Sequence, residues 1–361
     1  QVLPAMQIGH FLSLCDDTGL LQHALHCVPD RSHGYCTDDN ARALLVTCRL
    51  SRSGDLPLSE PLTSRFAAFI QHAWNRDAKR FRNFLSFDRH WLEDLGSQDS
   101  HGRALWALGE CTRNAASPSV RRWAASLFAE ALSTVEAFGS PRAWSFALLG
   151  LDAYCAAAAE DSHARRLRDL LANRLMVRLA ETETRGWEWF EASLAYDNAR
   201  LPQALIATGC ATDTASYTSA GLRCLHWLAR LQTSASGMFR PVGSQSFGAQ
   251  RVPPQPFDQQ PLEAAAMISA CAAAWRADRD PAWVAEAGRA FAWFLGSNDL
   301  SVPLVDPETG SCRDGLHPDR ANENRGGESA VSYLLALAEM RELAAFNTER
   351  ATLVPGRVVN A

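Results

Sequence analysis

None of the ten cysteines stands in a CxxC pair, so neither a zinc ribbon nor a thioredoxin-type site is expected. No two histidines have the HxxxH spacing that puts two imidazoles on one helix face, so neither a metal nor another cofactor is expected. No apolar run reaches the roughly 18 residues that span a bilayer, and the longest, within residues 264–275, has the length of a core helix. A net charge of -5 supplies no field that would draw nucleic acid or an anionic membrane. Alternating β-branched runs are nearly absent, so strand should stay under ~10%, against 20–25% in an average soluble domain. The start of the chain shows no signal-peptide pattern, and the expectation is a cytoplasmic protein with free thiols. It also lacks an initiator methionine, which fits a chain trimmed or cut from a longer one.

What is present is helix. The 361 residues are 47% apolar and 21% charged, a globular composition with material for a large core. Segments rich in alanine, glycine and leucine begin near residues 38, 100, 142, 198, 259 and 326. Amphipathic segments at 60–74, 119–138, 163–181, 214–233 and 281–295 alternate with them, and a short helix within 3–15 completes the set. Six helices apolar on most sides and six with one wet face describe an inner ring inside an outer ring. The expected fold is therefore all-α, an (α/α)6 barrel. Its spacing is too irregular for an open solenoid array. No linker divides it, so residues 1–345 are expected to form one domain, followed by an irregular tail over 346–361. Residues 27–35, 75–97, 234–255 and 297–324 read as loops and excursions.

One stretch, 186–205, concentrates carboxylates, aromatics and amides ahead of an apolar helix. Within it Asp197-Asn198-Ala199-Arg200 repeats Asp39-Asn40-Ala41-Arg42, each copy expected in the first turn of an inner helix. Polar residues gather at the other inner-helix starts too. Asp38 joins the first copy; Asp99, His101 and Arg103 stand at the second helix and Trp144 at the third. Glu188, Glu191 and Tyr196 precede the fourth; Asp258, Gln259 and Glu263 mark the fifth, Arg325 and Glu328 the sixth. All six N-termini of such a barrel open at one end, so these residues should line one funnel, the largest pocket of the protein. Paired carboxylates are what glycoside cleavage requires, one protonating the leaving oxygen and one meeting water or carbon. The expected catalytic set is Asp39, Glu191, Asp197, Asp99 and Glu328. The others, with Trp187 and Trp189 as stacking platforms, would bind sugar. On the ring, the helices bearing Asp39 and Asp197 are first and fourth, so the two carboxylates should face each other across the cavity. Against this stands plain capping chemistry, since Asp and Glu favour helix N-termini and Arg42, Arg103 and Arg200 each follow an Asp by three or four residues.

The runs Gly-Tyr-Cys-Thr-Asp-Asp-Asn-Ala-Arg-Ala-Leu, Gln-Asp-Ser-His-Gly-Arg-Ala-Leu-Trp-Ala-Leu-Gly, Tyr-Asp-Asn-Ala-Arg-Leu-Pro-Gln-Ala-Leu and Asn-Arg-Gly-Gly-Glu-Ser resemble those of a bacterial (α/α)6 domain found alone or fused behind GT-B glycosyltransferases. More broadly the chain is similar to six-hairpin glycosidases and to the N-acylglucosamine 2-epimerase group. The resemblance implies a carbohydrate ligand, with a fused or associated glycosyltransferase as partner. Glycoside hydrolysis of an oligosaccharide containing mannose or glucose leads. Sugar epimerisation ranks second, because it calls for a histidine pair and the constellation holds His101 alone, with His317 on a late loop. A non-catalytic carbohydrate-binding module is third.

Overall fold

The computed structural model describes residues 3–53 and 59–353. In chain order it contains α1 (Gly9–Ser13), β1 (Leu21–Leu25), β2 (Val28–Cys36), α2 (Thr37–Ser53), α3 (Ser59–Ala73), β3 (Trp74–Asn75), β4 (Arg80–Phe81), β5 (Phe84–Leu85) and α4 (Gln98–Asn114). It continues with α5 (Pro118–Ala131), α6 (Pro141–Ala157), α7 (Ser162–Thr182), α8 (Arg200–Ala211), α9 (Ala215–Leu231), α10 (Pro261–Asp278), α11 (Pro281–Phe294) and α12 (Gly327–Leu353).

The even-numbered helices close a ring: α2 packs on α4, α4 on α6, α6 on α8, α8 on α10, α10 on α12, and α12 back on α2. Outside them α3 lies on α2, α5 on α4, α7 on α6, α9 on α8, α11 on α10, and α1 on α12. The all-α (α/α)6 toroid expected from the apolar alternation is the observed architecture. The inner helices can be apolar all round because both their faces are covered: α6 buries Pro141 through Leu151 without a break. Small residues let the ring close tightly. A Cβ placed on Gly109 of α4 would meet the Gly150 carbonyl oxygen of α6 at 2.1 Å, and one on Gly150 would meet that of Leu105 at 2.5 Å. Gly109→Ala is therefore expected to destabilise the fold by about 2 kcal/mol through overpacking against backbone. Urea unfolding reads this, and a variant as stable as wild type would mean the two helices can part freely.

Helix starts are written into the sequence. Ser117 before Pro118, Ser140 before Pro141 and Asp280 before Pro281 each accept a first-turn N–H from Val120, Ala143 and Ala282, pairing an N-cap oxygen with a proline whose missing N–H costs nothing there. Ser97 and Asp161 cap α4 and α7 in the same way.

Three local expectations are corrected. Residues 27–35 are not a loop: they lie almost wholly in β2, antiparallel to β1 and β5 in a three-stranded sheet. His26 turns the hairpin at φ 54 and donates its N–H to Asn324 Oδ1 at 3.0 Å, a support nearly three hundred residues away that local propensity does not reveal. The second Asp-Asn-Ala-Arg copy is not inside its helix, since α8 begins only at Arg200 and Asp197 sits at φ 53 in the turn before it. The last helix runs on through Leu353, past the start of the expected irregular tail; residues 354–361 lie outside the described ones. Among the described residues strand is confined to the five segments named, and no helix is long and apolar enough to cross a membrane.

Candidate active site

The starts of the inner helices share one end of the barrel, where a cavity of about 410 Å³ opens. Asp38, Asp39 and Arg42 of α2 line it, with Asp99 and Ser100 of α4, Tyr196 ahead of α8, Gln260 ahead of α10, and Glu328 and Ser329 of α12. The sheet forms its rim through Gln22 and His23 of β1, Cys36 of β2, Phe84 of β5 and the adjoining Asn83. Asp314 reaches the same space from the long loop before α12. Its Oδ1 accepts from Gly326 N and Ser329 Oγ, each at 2.7 Å, so it also caps α12 and thereby fixes Glu328.

The floor is organised by one guanidinium. Arg42 Nη1 lies 2.7 Å from Asp38 Oδ2, 2.9 Å from Asp39 Oδ1 and 2.9 Å from Glu328 Oε2. Three carboxylates with oxygens within 4.8 Å of one another thus converge where a cation would bind, and Arg42 already supplies the positive charge. Asp38 is held from the other side by Arg103 Nε at 2.6 Å. Asp39 is 6% exposed and, among the described residues, makes its ion pair with Arg42 alone. Burial raises the Asp39 carboxyl to about 7, opposed by Arg42 and reinforced by Glu328 and Asp38. Burial thus favours the protonated form of Asp39 at a place where the Asp38 and Glu328 side chains stand beside it. On the far wall Asp99 accepts from Ser140 Oγ at 2.5 Å and from the Tyr196 hydroxyl.

Beneath the floor the arginines form a second layer. Arg103 Nη2 donates to Asp197 Oδ2 at 2.8 Å, and Arg200 Nε donates to Asp197 Oδ1 at 3.2 Å. Arg103 stacks 4.0 Å above the Phe146 ring, and Arg200 lies 4.8 Å from that of Trp106. Burial raises the Asp197 carboxyl, but Arg103 and Arg200 outweigh it and hold the group below the usual range. Glu263 accepts from the backbone N–H groups of Asp197 and Asn198 and from Asn198 Nδ2, while burial pushes its pKa up to about 8.

The expected funnel is thus only partly assembled. Asp38, Asp39, Arg42, Asp99, Tyr196 and Glu328 line the cavity. Asp197 does not: it is 2% exposed beneath the floor, joined to Asp38 through Arg103 rather than facing Asp39 across open space. Arg42 and Arg200 do pair with the Asp three residues before them, whereas Arg103 passes over Asp99 to reach Asp38 and Asp197. The two Asn residues of the repeat are clamps. Asn40 exchanges hydrogen bonds with the Leu20 backbone and donates to Cys36 O; Asn198 spans the Ala195 backbone.

Several others lie outside the lining. Glu191 is tied to Arg142 at 2.7 Å and Glu188 faces Arg230 at 3.8 Å. Asp258 pairs with His317 at 2.9 Å. Gln259 joins Trp293 Nε1 to Asp299, and Arg325 donates to Ser311 Oγ at 2.5 Å. The tryptophans are not platforms. Trp189 is wholly buried and stacks on Trp227, which Trp187 meets edge-on; Trp144 is buried with Nε1 on Phe138 O at 2.7 Å. His101 is a wall residue, its Nε2 against Ala131 O at 3.0 Å, and burial lowers its pKa to about 3. Beside Tyr196, the aromatic ring that lines the cavity is instead Phe84, 40% exposed. Its signal was the cluster of phenylalanines in 75–97. Gln22, His23, Asn83 and Asp314 carried none, because hairpin pairing and a long loop bring them there.

A larger cavity, about 640 Å³, lies at the opposite end of the barrel against the C-terminal halves of the inner helices. The site at the helix starts is therefore not the largest pocket.

No protein-family profile matches the chain, and neither does any curated protein. Solved structures do match. D-mannose isomerase superposes with a TM-score of 0.71 at 9% identity, over 92% of this chain and 94% of that one. Cellobiose 2-epimerase from Bacillus thermoamylovorans gives 0.71 at 9% identity, over 92% and 95%. The third is an inactive variant of an α-1,6-mannanase of Salegentibacter sp., with two consecutive aspartates replaced by alanine, in complex with α-1,6-mannotetrose. It gives 0.64 at 10% identity, over 93% and 96%. At these identities the likeness establishes the (α/α)6 fold.

Proposed function

We propose that the chain is a glycoside hydrolase acting on an oligosaccharide at the cavity over α2 and α12. The observation that carries this is the convergence of Asp38, Asp39 and Glu328 on Arg42, with one carboxyl among them, Asp39, buried and raised to about 7 by that burial. Asp39 donates its proton to the glycosidic oxygen as the bond breaks. Glu328, whose side chain is the most open of the three at 40% exposed, supplies the carboxylate that meets the sugar carbon or its attacking water. Asp38, gripped by Arg42 and Arg103, keeps negative charge beside the oxocarbenium-like centre. Asp99, with Tyr196 and Ser140 bonded to it, and Gln260 bind hydroxyls, and Phe84 offers a ring face to the sugar. Support comes also from the mannanase neighbour, inactive when two consecutive aspartates are lost; Asp38 and Asp39 are such a pair. An attached glycosyltransferase, which the sequence resemblance implies, would place this barrel beside an enzyme that handles the same sugars.

Incubation with manno- and gluco-oligosaccharides, read by mass spectrometry, tests the reading: shorter chains are expected. Epimerisation is the second reading, favoured by the two epimerase-type neighbours and by His23, which lines the cavity 4.7 Å from the His33 ring; it would leave masses unchanged. Hydrolysis should also fall as pH rises through about 7, the value to which burial lifts Asp39, because the acid must hold its proton. A rate still rising at pH 9 would remove Asp39 from that role.

A further inference from the structure

The larger cavity at the other end of the barrel has a composition that the sugar reading does not use. Its wall is apolar, formed by Trp106, Leu149 and a series of alanines, and five arginines lie around it: Arg49, Arg113, Arg165, Arg168 and Arg276. The carboxylates in the lining are Glu110 and Asp152. Two of the arginines are neutralised from outside it, Arg49 by Glu339 and Arg276 by Glu342. Arg168 approaches Asp152 at 3.6 Å, too far for a hydrogen bond, and its Nε is buried without a partner. Arg113 and Arg165 are exposed and form no ion pair among the described residues. The chain as a whole carries a charge of -5, so this local excess of guanidinium runs against its overall balance.

We propose that this cavity binds a small organic oxyanion, a phosphomonoester on a compact body. Arg113, Arg165 and Arg168 grip the dianion, and the alanine and Trp106 wall takes the carbon skeleton. The guanidinium fork matches the oxygens of a tetrahedral oxyanion in pairs, and three incompletely paired forks on one concave wall suit a doubly charged group better than a neutral sugar. A cavity of about 640 Å³ lies within the roughly 300–1,000 Å³ range of small-ligand sites. The competing explanation is helix chemistry. The cavity adjoins the C-termini of α4, α6, α8 and α10, whose partial negative charge cations offset. That function would be complete without a ligand.

The two separate in a calorimetric titration of the whole chain with glucose 6-phosphate, inorganic phosphate and glucose, at ionic strength held constant with sodium chloride. Glucose 6-phosphate is expected to bind at least about tenfold more tightly than glucose. Phosphate should compete with it, and the double variant Arg113→Gln/Arg165→Gln should weaken it by about tenfold or more. Neither residue touches the carboxylate cavity, so turnover of oligosaccharide by the variant should stay at the wild-type rate, and Asp39→Asn should leave phosphate binding intact. Equal binding of glucose and glucose 6-phosphate overturns the proposal, as does no binding of either, or an affinity unchanged in the double variant. The binding readings are independent of whether the carboxylate site proves to be a hydrolase.

Discussion

Asp39→Asn is expected to lower turnover of the cleaved oligosaccharide by about 10²-fold or more, the usual contribution of a positioned acid, while the protein stays folded. Asparagine fits the same space and can still accept from Arg42, but it has no proton to give. The sign of the stability change follows from the raised carboxyl pKa. In the folded protein Asp39 binds its proton more tightly than in the unfolded chain, so its contribution is complete below about pH 4 and is lost as pH rises through about 7. Above that, wild type must hold a desolvated charge that the variant does not, and at pH 8 the variant should be at least as stable. Activity near wild type, or a loss explained by unfolding, would make Asp39 a capping residue. Asp197→Asn serves as the contrast. Asp197 is bound to Arg103 and does not line the carboxylate cavity, so its loss should appear first in stability and only secondarily in turnover.

The largest loss of stability is expected at Arg103. This side chain is 1% exposed and joins Asp38 to Asp197. Arg103→Met preserves the packing over Phe146 but leaves two carboxylates with one guanidinium each, and removing one partner from a buried ionic set costs about 3–5 kcal/mol. Urea unfolding should show this at pH 7. Because Asp38 loses its second anchor, turnover should fall along with stability in the folded fraction. A variant within about 1 kcal/mol of wild type would show that Arg42 and Arg200 suffice, and that the second layer does not position the first.

The ring architecture was legible because it rests on hydrophobic periodicity and on caps such as Ser140-Pro141, both local properties. The cluster at α2 was legible too, since consecutive aspartates at a helix start fall at one end of any such barrel. What failed was depth. Asp39 and Asp197 occupy the same place in their repeats, yet α8 starts three residues after Asp197 and α2 two residues before Asp39, so one carboxyl faces the cavity and the other lies beneath it. Trp187 and Trp189 carried the composition of a sugar platform and form a buried cluster with Trp227, one edge-on and one stacked, because an aromatic's apolar face serves either purpose and packing alone decides. Phe84, Asn83 and Asp314 reach the cavity through strand pairing and a long loop, whose geometry is set by contacts remote in sequence.

The most direct measurement is a crystal structure of Asp39→Asn soaked with an oligosaccharide that the wild-type chain shortens. The account places the sugar in the cavity between α2 and α12, one ring against Phe84. The glycosidic oxygen should lie about 3 Å from the residue 39 side chain, with Glu328 facing the adjoining carbon. A sugar bound at the arginine-lined end of the barrel, or one in the carboxylate cavity with its glycosidic oxygen turned away from residue 39, would contradict it.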